Sequence, residues 1–229
     1  MKILLYNAYK GIKKYFWESG DLHTPHGIVK EKDIINNNNP KSHSNKEFQS
    51  YEANFLDKIK KIKRGPQTLL QKDLAYINLY IEKDSTVVEA GTGTGLLAAT
   101  IAQKAKQVYS YDINESHLKL AQKNLDFLKI TNVELINKDI YEGFDKKTDT
   151  LILDLPQPWQ VPFNNVKNGG TIIAYLPTIT QVMEFYKTKL YIEKTIELLE
   201  REWYVQDKKV RPKSQMQGHT AFLVIARKL

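Results

Sequence analysis

One stretch limits what this chain can fold into more than any other: Thr86-Val87-Val88-Glu89-Ala90-Gly91-Thr92-Gly93-Thr94-Gly95. Its β-branched run, Thr86-Val87-Val88, predicts a buried strand over 86–90. Gly91, Gly93 and Gly95 lead directly into Leu96-Leu97-Ala98-Ala99, which are good helix formers. Strand, glycine turn and helix form the first unit of an open α/β sheet, and such sheets take nucleotide-like ligands at the carboxyl ends of their strands. Glycines there let backbone N–H groups meet a ligand where a Cβ would intervene. No Lys follows Gly95, so the turn is not a phosphate-binding P-loop. Its alternating glycines also differ from the Gly-x-Gly-x-x-Gly of dinucleotide folds.

The following elements sharpen this reading. Residues 107–112 predict a second strand ending on Asp112, about 20 residues after the first glycine, where such a sheet places a carboxylate on ribose hydroxyls. Asn114 is a good N-cap for a helix over 115–129. Strands are expected at 133–137, 148–154 and 171–175, with helices at about 96–104 and 179–188. The segments 195–205 and 220–226 are expected to pair antiparallel and close the sheet. Right-handed crossovers bring the ends of the first four strands to one rim. Gly91–Gly95, Asp112, Asp139 and Asp154 are therefore expected together, with Asp139 placed to accept from an adenine amine. In Asp154-Leu155-Pro156-Gln157-Pro158-Trp159 the prolines stiffen the loop, and Trp159 offers a flat wall for a stacked base.

At 229 residues the chain suits one main α/β domain and a small appendage. The expected division is a β-rich, basic module over 1–66 and a ligand-binding domain over 67–229. The second domain opens with a helix over 67–81, carrying Leu69, Leu70, Ala75, Ile77, Leu79 and Ile81. The net charge of +8 is uneven, because residues 1–75 hold 14 Lys/Arg against 8 Asp/Glu. That imbalance suits a nucleic-acid partner. The sharpest basic cluster is Lys58, Lys60, Lys61, Lys63 and Arg64. Leu56, Ile59 and Ile62 recur every third residue there, so one edge is expected to be buried while the cations face phosphates. No metal site is expected: the chain has no cysteine, and His23 and His26 lack partner ligands. With no membrane-length apolar run and no signal-peptide cleavage pattern, the expectation is a cytoplasmic protein without a membrane partner.

The glycine turn, Glu89-Ala90-Gly91-x-Gly93-x-Gly95, resembles motif I of class I methyltransferases that use S-adenosylmethionine (SAM). Further segments make the resemblance specific: His23-Thr24-Pro25-His26-Gly27, Arg64 through Gln67 to Lys72-Asp73, Asp154-x-Pro156-x-Pro158-Trp159, Ala174-Tyr175-Leu176-Pro177-x-Ile179-Thr180-Gln181-Val182, Arg211-Pro212, and Met216-x-Gly218-His219-Thr220-Ala221-Phe222-Leu223. Together they resemble the TrmI family of tRNA (adenine-N1)-methyltransferases, which modify the T-loop adenosine at tRNA position 58. The resemblance implies a class I, Rossmann-like α/β methyltransferase with a small N-terminal β domain, SAM as cofactor, tRNA as substrate and a homotetramer. It implies a SAM site of Gln67, Gly91, Thr92, Gly93, Thr94, Asp112, His117, Asp139, Ile140 and Asp154. Asp154 would meet the target adenine and Tyr175 would stand beside it. The basic cluster, Trp159, Arg211 and His219 would face RNA. Leu70-Gln71 stand where many members have Tyr-Pro, so Leu70 receives no catalytic role. A SAM methyltransferase with another substrate, a non-catalytic tRNA-binding paralogue and a nicotinamide dehydrogenase are the rival readings.

Overall fold

The computed structural model describes residues 1–9, 11–65, 68–206 and 208–229. The chain divides into two compact units, Met1–Lys61 and Ile62–Leu229. In the first, strands β1 (Lys2–Ala8), β2 (Gly11–Trp17), β3 (Leu22–Thr24) and β4 (Gly27–Val29) precede helix α1 (Glu31–Asn36), strand β5 (Gln49–Glu52) and helix α2 (Phe55–Ile59). β1 is central in an antiparallel β2-β1-β5 sheet, and β3 pairs with β4. Leu4, Trp17, Val29, Ile34 and Phe48 form the core. His26 stacks on Tyr6 with ring centroids 4.0 Å apart, so it is a packing residue. Among the described residues no three His, Cys, Asp or Glu side chains gather as a metal site.

The second unit runs α3 (Gln71–Leu79), β6 (Thr86–Ala90), α4 (Leu96–Ile101), β7 (Gln107–Tyr111), α5 (Glu115–Leu128), β8 (Val133–Ile136), β9 (Thr148–Leu153), β10 (Val166–Leu176), α6 (Ile179–Phe185), β11 (Tyr191–Glu197), β12 (Trp203–Gln206), β13 (Lys209–Pro212) and β14 (Phe222–Arg227). Seven strands make one sheet in the order β11-β14-β10-β9-β6-β7-β8. β6 to β10 run parallel, and β14 lies antiparallel between β10 and β11. Alternate residues of the central strands face opposite cores. Val87 and Val108 join Leu74, Ile77, Leu97 and Ile101 on one face; Val88, Leu151 and Leu153 join Val182 and Phe185 on the other. Strands covered on both faces must be apolar nearly throughout, which is why Val87 to Ala90 are all buried. The strand order reverses around β6, whose neighbours are β7 and β9. Ligands bind at such a switch point, outside the carboxyl ends.

Beyond shifted ends, such as β10 starting at Val166 rather than 171 and α4 ending at Ile101 rather than 104, three expectations differ in kind. The helix expected over 67–81 is Gln71–Leu79, preceded by an extended Leu70. Leu69 is buried from non-helical backbone, and Leu79 is 70% exposed. The strand expected over 195–205 is two strands, because β14 begins at Phe222 opposite Glu197 and offers β11 no partner beyond it. Residues 203–212 instead form a separate two-stranded ribbon, β12–β13. In the basic cluster Ile59 is buried, whereas Leu56 is exposed: α2 ends at Ile59, so a three-residue spacing through Ile62 does not follow one helix face. Among the described residues no helix is long and apolar enough to cross a membrane.

Candidate active site

The turn after β6 opens a groove of about 170 Å³ lined by Thr68, Leu69, Gly91, Thr92, Gly93, Thr94, Leu96, Leu97, Asp112, His117 and Asp154. Gly95 caps α4 at φ 75°, and a Cβ there would stand 3.0 Å from the Ala121 Cβ. A Cβ on Gly91 would stand 3.0 Å from the Asp154 carbonyl oxygen, whereas one on Gly93 would meet nothing within 4 Å. The backbone at Gly93 thus faces open space. Ligand approach and tight strand-to-helix packing call for glycine at different positions of the same turn.

Three carboxyl groups converge here. Asp112 is already engaged: it accepts from the Gly93 N–H at 3.1 Å and the Asn114 N–H at 2.8 Å, and its Oδ2 lies 3.1 Å from His117 Nδ1. Asp154 follows β9, with its N–H donating to the Ala90 carbonyl at 2.7 Å. Burial pushes its carboxyl up to about 6. Glu89 lies beneath the turn, fully buried. Its Oε1 accepts from Ser110 Oγ at 2.5 Å, and Ser110 Oγ lies 2.6 Å from Thr92 Oγ1. Its Oε2 is buried without a partner among the described residues. Burial raises Glu89 to about 8, the Ser110 hydrogen bond works against that rise, and Asp154 and Asp112 add to it. No Lys or Arg is among the lining residues. An acidic pocket of this kind repels phosphate and suits a ligand carrying positive charge.

The profile of the family described as tRNA methyltransferase complex GCD14 subunit matches residues 60–211. A Methanocaldococcus jannaschii protein named tRNA (adenine(57)-N(1)/adenine(58)-N(1))-methyltransferase TrmI is 35% identical, covering 88% of this chain and 86% of its own length. This chain belongs to the TrmI family. A Thermus thermophilus tRNA (adenine(58)-N(1))-methyltransferase TrmI is 29% identical over 82% of this chain and 80% of that protein. The crystal structure of tRNA (m1A58) methyltransferase TrmI from Aquifex aeolicus superposes with a TM-score of 0.81 at 26% identity, covering 99% of this chain and 96% of that one. A SAM-dependent O-methyltransferase from Thermotoga maritima superposes at 0.83, also at 26% identity, over 99% and 92%. The fold is that of a class I SAM-dependent methyltransferase, and the cofactor is SAM. The groove fits it: SAM carries a sulfonium and an ammonium, and Asp112 and Asp154 line the groove with no Lys or Arg among the lining residues.

The other expected site residues of this TrmI-family chain lie as follows. Asp139 caps a short turn, accepting from the Tyr141 N–H at 2.9 Å, and the Ile140 side chain is buried in a core cluster; neither is among the residues lining the groove. Gln67 lies outside the described residues. Tyr175 is buried on β10 and donates to Asp73 Oδ2 at 3.5 Å. Trp159 packs half-buried against the second core cluster. Arg211 is exposed on β13 and donates to Ser214 Oγ at 3.0 Å. His219 is committed within the protein: Nδ1 lies 2.5 Å from Glu197 Oε1 and Nε2 lies 2.8 Å from the Pro177 carbonyl oxygen. The carbonyl first, and the carboxylate second, raise its pKa. A ring with acceptors at both nitrogens is a clamp, which leaves His219 little to offer RNA. Lys58, Lys60 and Lys61 close the first unit, with Lys61 Nζ 4.3 Å from the Phe16 ring centroid. Lys63 and Arg64 open the second. There the buried Asn124 side chain accepts from the Lys63 N–H at 2.8 Å and donates to the Lys63 and Thr94 carbonyls at 3.1 and 2.9 Å.

Sequence reasoning quoted Glu89 and Asp73 only as members of motifs, with no role for either, and did not single out Asn124. Glu89 carried a signal, since an acid inside a strand covered on both faces has no water to ionise into. Asn124 carried none, because its partners are backbone groups distant in sequence.

Proposed function

We infer that this chain transfers the methyl group of SAM to N1 of the T-loop adenosine at tRNA position 58. The observation that carries the reading is the placement of Asp154: a half-buried carboxyl at the end of β9, in the same groove as the glycine turn and Asp112. When bound, SAM supplies a methyl group activated as an electrophile by its sulfonium. In our reading Asp112 holds the ribose hydroxyls, and Gly91–Thr94 with His117 complete the cradle. The adenine must leave its stack before N1 is exposed. N1 already has a lone pair, so no base is needed at that atom. Asp154 accepts a hydrogen bond from the N6 amine and stabilises the positive charge that builds on the ring. Tyr175, held protonated by a pKa pushed up to about 12 chiefly through burial, backs that carboxylate from the adjacent strand.

We assign Met1–Lys61 and the following basic residues to RNA contact and Ile62–Leu229 to methyl transfer. The whole acts in the cytoplasm as a homotetramer, and an exposed apolar face on β12–β13 supports the assembly. Incubation with tRNA and SAM, followed by mapping of 1-methyladenosine, tests the function. Modification at position 58 is expected, and the same map reads position 57, which the name of the M. jannaschii relative includes. Asp154→Asn is expected to lower turnover by about a hundredfold or more while SAM affinity changes little. Unchanged turnover removes Asp154 from the mechanism.

A further inference from the structure

Away from the groove, a second polar cluster joins three distant parts of the chain. Lys72 Nζ donates to Asp73 Oδ1 at 2.7 Å and to Thr220 Oγ1 at 2.6 Å. Tyr175 OH donates to the other carboxylate oxygen, Asp73 Oδ2. The Lys72 and Asp73 side chains are only 9% and 1% exposed. Asp73 lies in the first turn of α3, where the helix N-terminus favours its charge. Removing two charges from water is costly, and a hydrophobic pair often serves stability as well. A buried ion pair that also bonds a phenol and a hydroxyl therefore calls for a role beyond stability.

The partners indicate that role. Tyr175 is the next residue along β10 after Ala174, which pairs with Leu153, the residue before Asp154. The phenol thus belongs to the strand beside the acid of the transfer site, and the charges of both Asp73 and Asp154 act on it. Thr220 ends the segment that approaches β14, and His219 fastens the same segment to Pro177 and Glu197. Lys72 also lines a cavity of about 150 Å³ with Leu70, Lys213, Gln215, Met216 and Gln217. The Lys72–Asp73 pair therefore connects the start of α3, the phenol-bearing strand and a wall of that cavity.

We propose that the Lys72–Asp73 pair is a positioning device for the acceptor nucleotide, orienting the Tyr175 hydroxyl and fastening the Gln215–Thr220 segment to α3. The proposal rests on the methyl-transfer reading above, in which Asp154 and Tyr175 face the acceptor. Neither Lys72 nor Asp73 touches reacting atoms; they act through Tyr175 and Thr220.

The least disruptive test is Thr220→Val, which keeps the shape and removes the hydroxyl, with Thr220→Ser as the conservative rescue. Losing a hydrogen bond to a charged group is expected to raise the KM for tRNA about tenfold in Thr220→Val. Thr220→Ser is expected to stay near wild type, and the SAM dissociation constant is expected to hold in both. Labelling tyrosine at its ring carbons gives a readout independent of activity: the Tyr175 resonance, assigned from Tyr175→Phe, is expected to shift in Thr220→Val and in Asp73→Asn. An unmoved Tyr175 signal, or equal impairment of Thr220→Val and Thr220→Ser, overturns the proposal. If Tyr175→Phe keeps full turnover while Thr220→Val still raises the KM and moves the signal, the catalytic reading of Tyr175 and the orienting of its hydroxyl both fall, and the fastening of the Gln215–Thr220 segment stands.

Discussion

Asp112 and Asp154 line one groove and Glu89 lies beneath it, and each carboxyl is held differently, with differences that predict behaviour. Asp154 is partly withdrawn from water and has no donor to its carboxyl among the described residues, and this burial moves it up to about 6. If catalysis needs its charged form, kcat/KM for SAM should climb about tenfold per pH unit below that value and level off above it, since this profile reports the free enzyme. The limb in kcat should sit at lower pH, because a bound cation favours the carboxylate. A flat profile between pH 5 and 7 contradicts the role. Glu89, near 8 in the folded chain against 4.5 in the open one, makes a different prediction. Between those values the folded state keeps a proton that the unfolded state has lost, so this residue makes stability fall as pH rises. Glu89→Gln keeps the neutral shape and removes that loss. Its Tm should exceed wild type at pH 8 by about 3 °C or more, with the gap closing towards pH 5. Parallel melting curves for the two proteins would show that Glu89 is not held neutral. Asp112 and Asp154 were legible in the sequence because strand-end position is a local property. Ile140 was not: whether a residue after a strand enters a cleft or the core depends on the turn, and the cap made by Asp139 sends Ile140 inward.

Elements read from apolar pattern and glycine punctuation were found where several residues agree, as in β6, β7, α5 and β9. The pattern failed where partners end. No local signal in 195–205 marks the residue at which β14 ceases to pair, so two strands looked like one. The start of α3 was hidden for a related reason: Leu69 is apolar because it packs in the core, not because it is helical. Conversely, the α6 start was legible but unused, since Thr178 and Gln181 form a reciprocal cap. The displaced strand has a consequence for assembly. In β12–β13, Trp203 pairs with Pro212 and Val205 with Val210, so all four share one face, while Tyr204 and Arg211 share the other. Trp203, Val205 and Val210 are 57%, 71% and 60% exposed. A lone two-stranded ribbon is marginal in water, and an apolar face on one suits a partner of the same chemistry. A second copy of the same ribbon meets that need, as an isologous contact does. On the proposed homotetramer, Val205→Glu with Val210→Glu should therefore convert a species of four 26.5 kDa chains into smaller ones with the circular dichroism unchanged. An unshifted mass by light scattering would place the subunit contacts elsewhere.

On the scale of the whole molecule, the chain must bring a polyanion to an acidic groove. The net charge of +8 is distributed accordingly, with no Lys or Arg lining the groove and a basic run over Lys58–Arg64 outside it. Repulsion by Asp112 and Asp154 keeps phosphates out of the SAM site, so affinity for tRNA has to come from cations elsewhere. Lys60 and Lys61 are exposed and follow α2 directly, and Lys61 is steadied over Phe16. Each lysine that neutralises a phosphate releases condensed counterions, so log affinity should fall linearly with log salt. Replacing Lys60 and Lys61 with Gln should reduce that slope by about 2, roughly 1 for each phosphate left without its cation, and weaken tRNA binding most at low salt. SAM affinity should stay unchanged, since neither residue lines the groove. Filter-binding titrations across a salt series decide the matter. Equal slopes for variant and wild type would mean that these lysines only solvate the surface, and RNA would then have to be held by other cations such as Arg211 on the β13 ribbon.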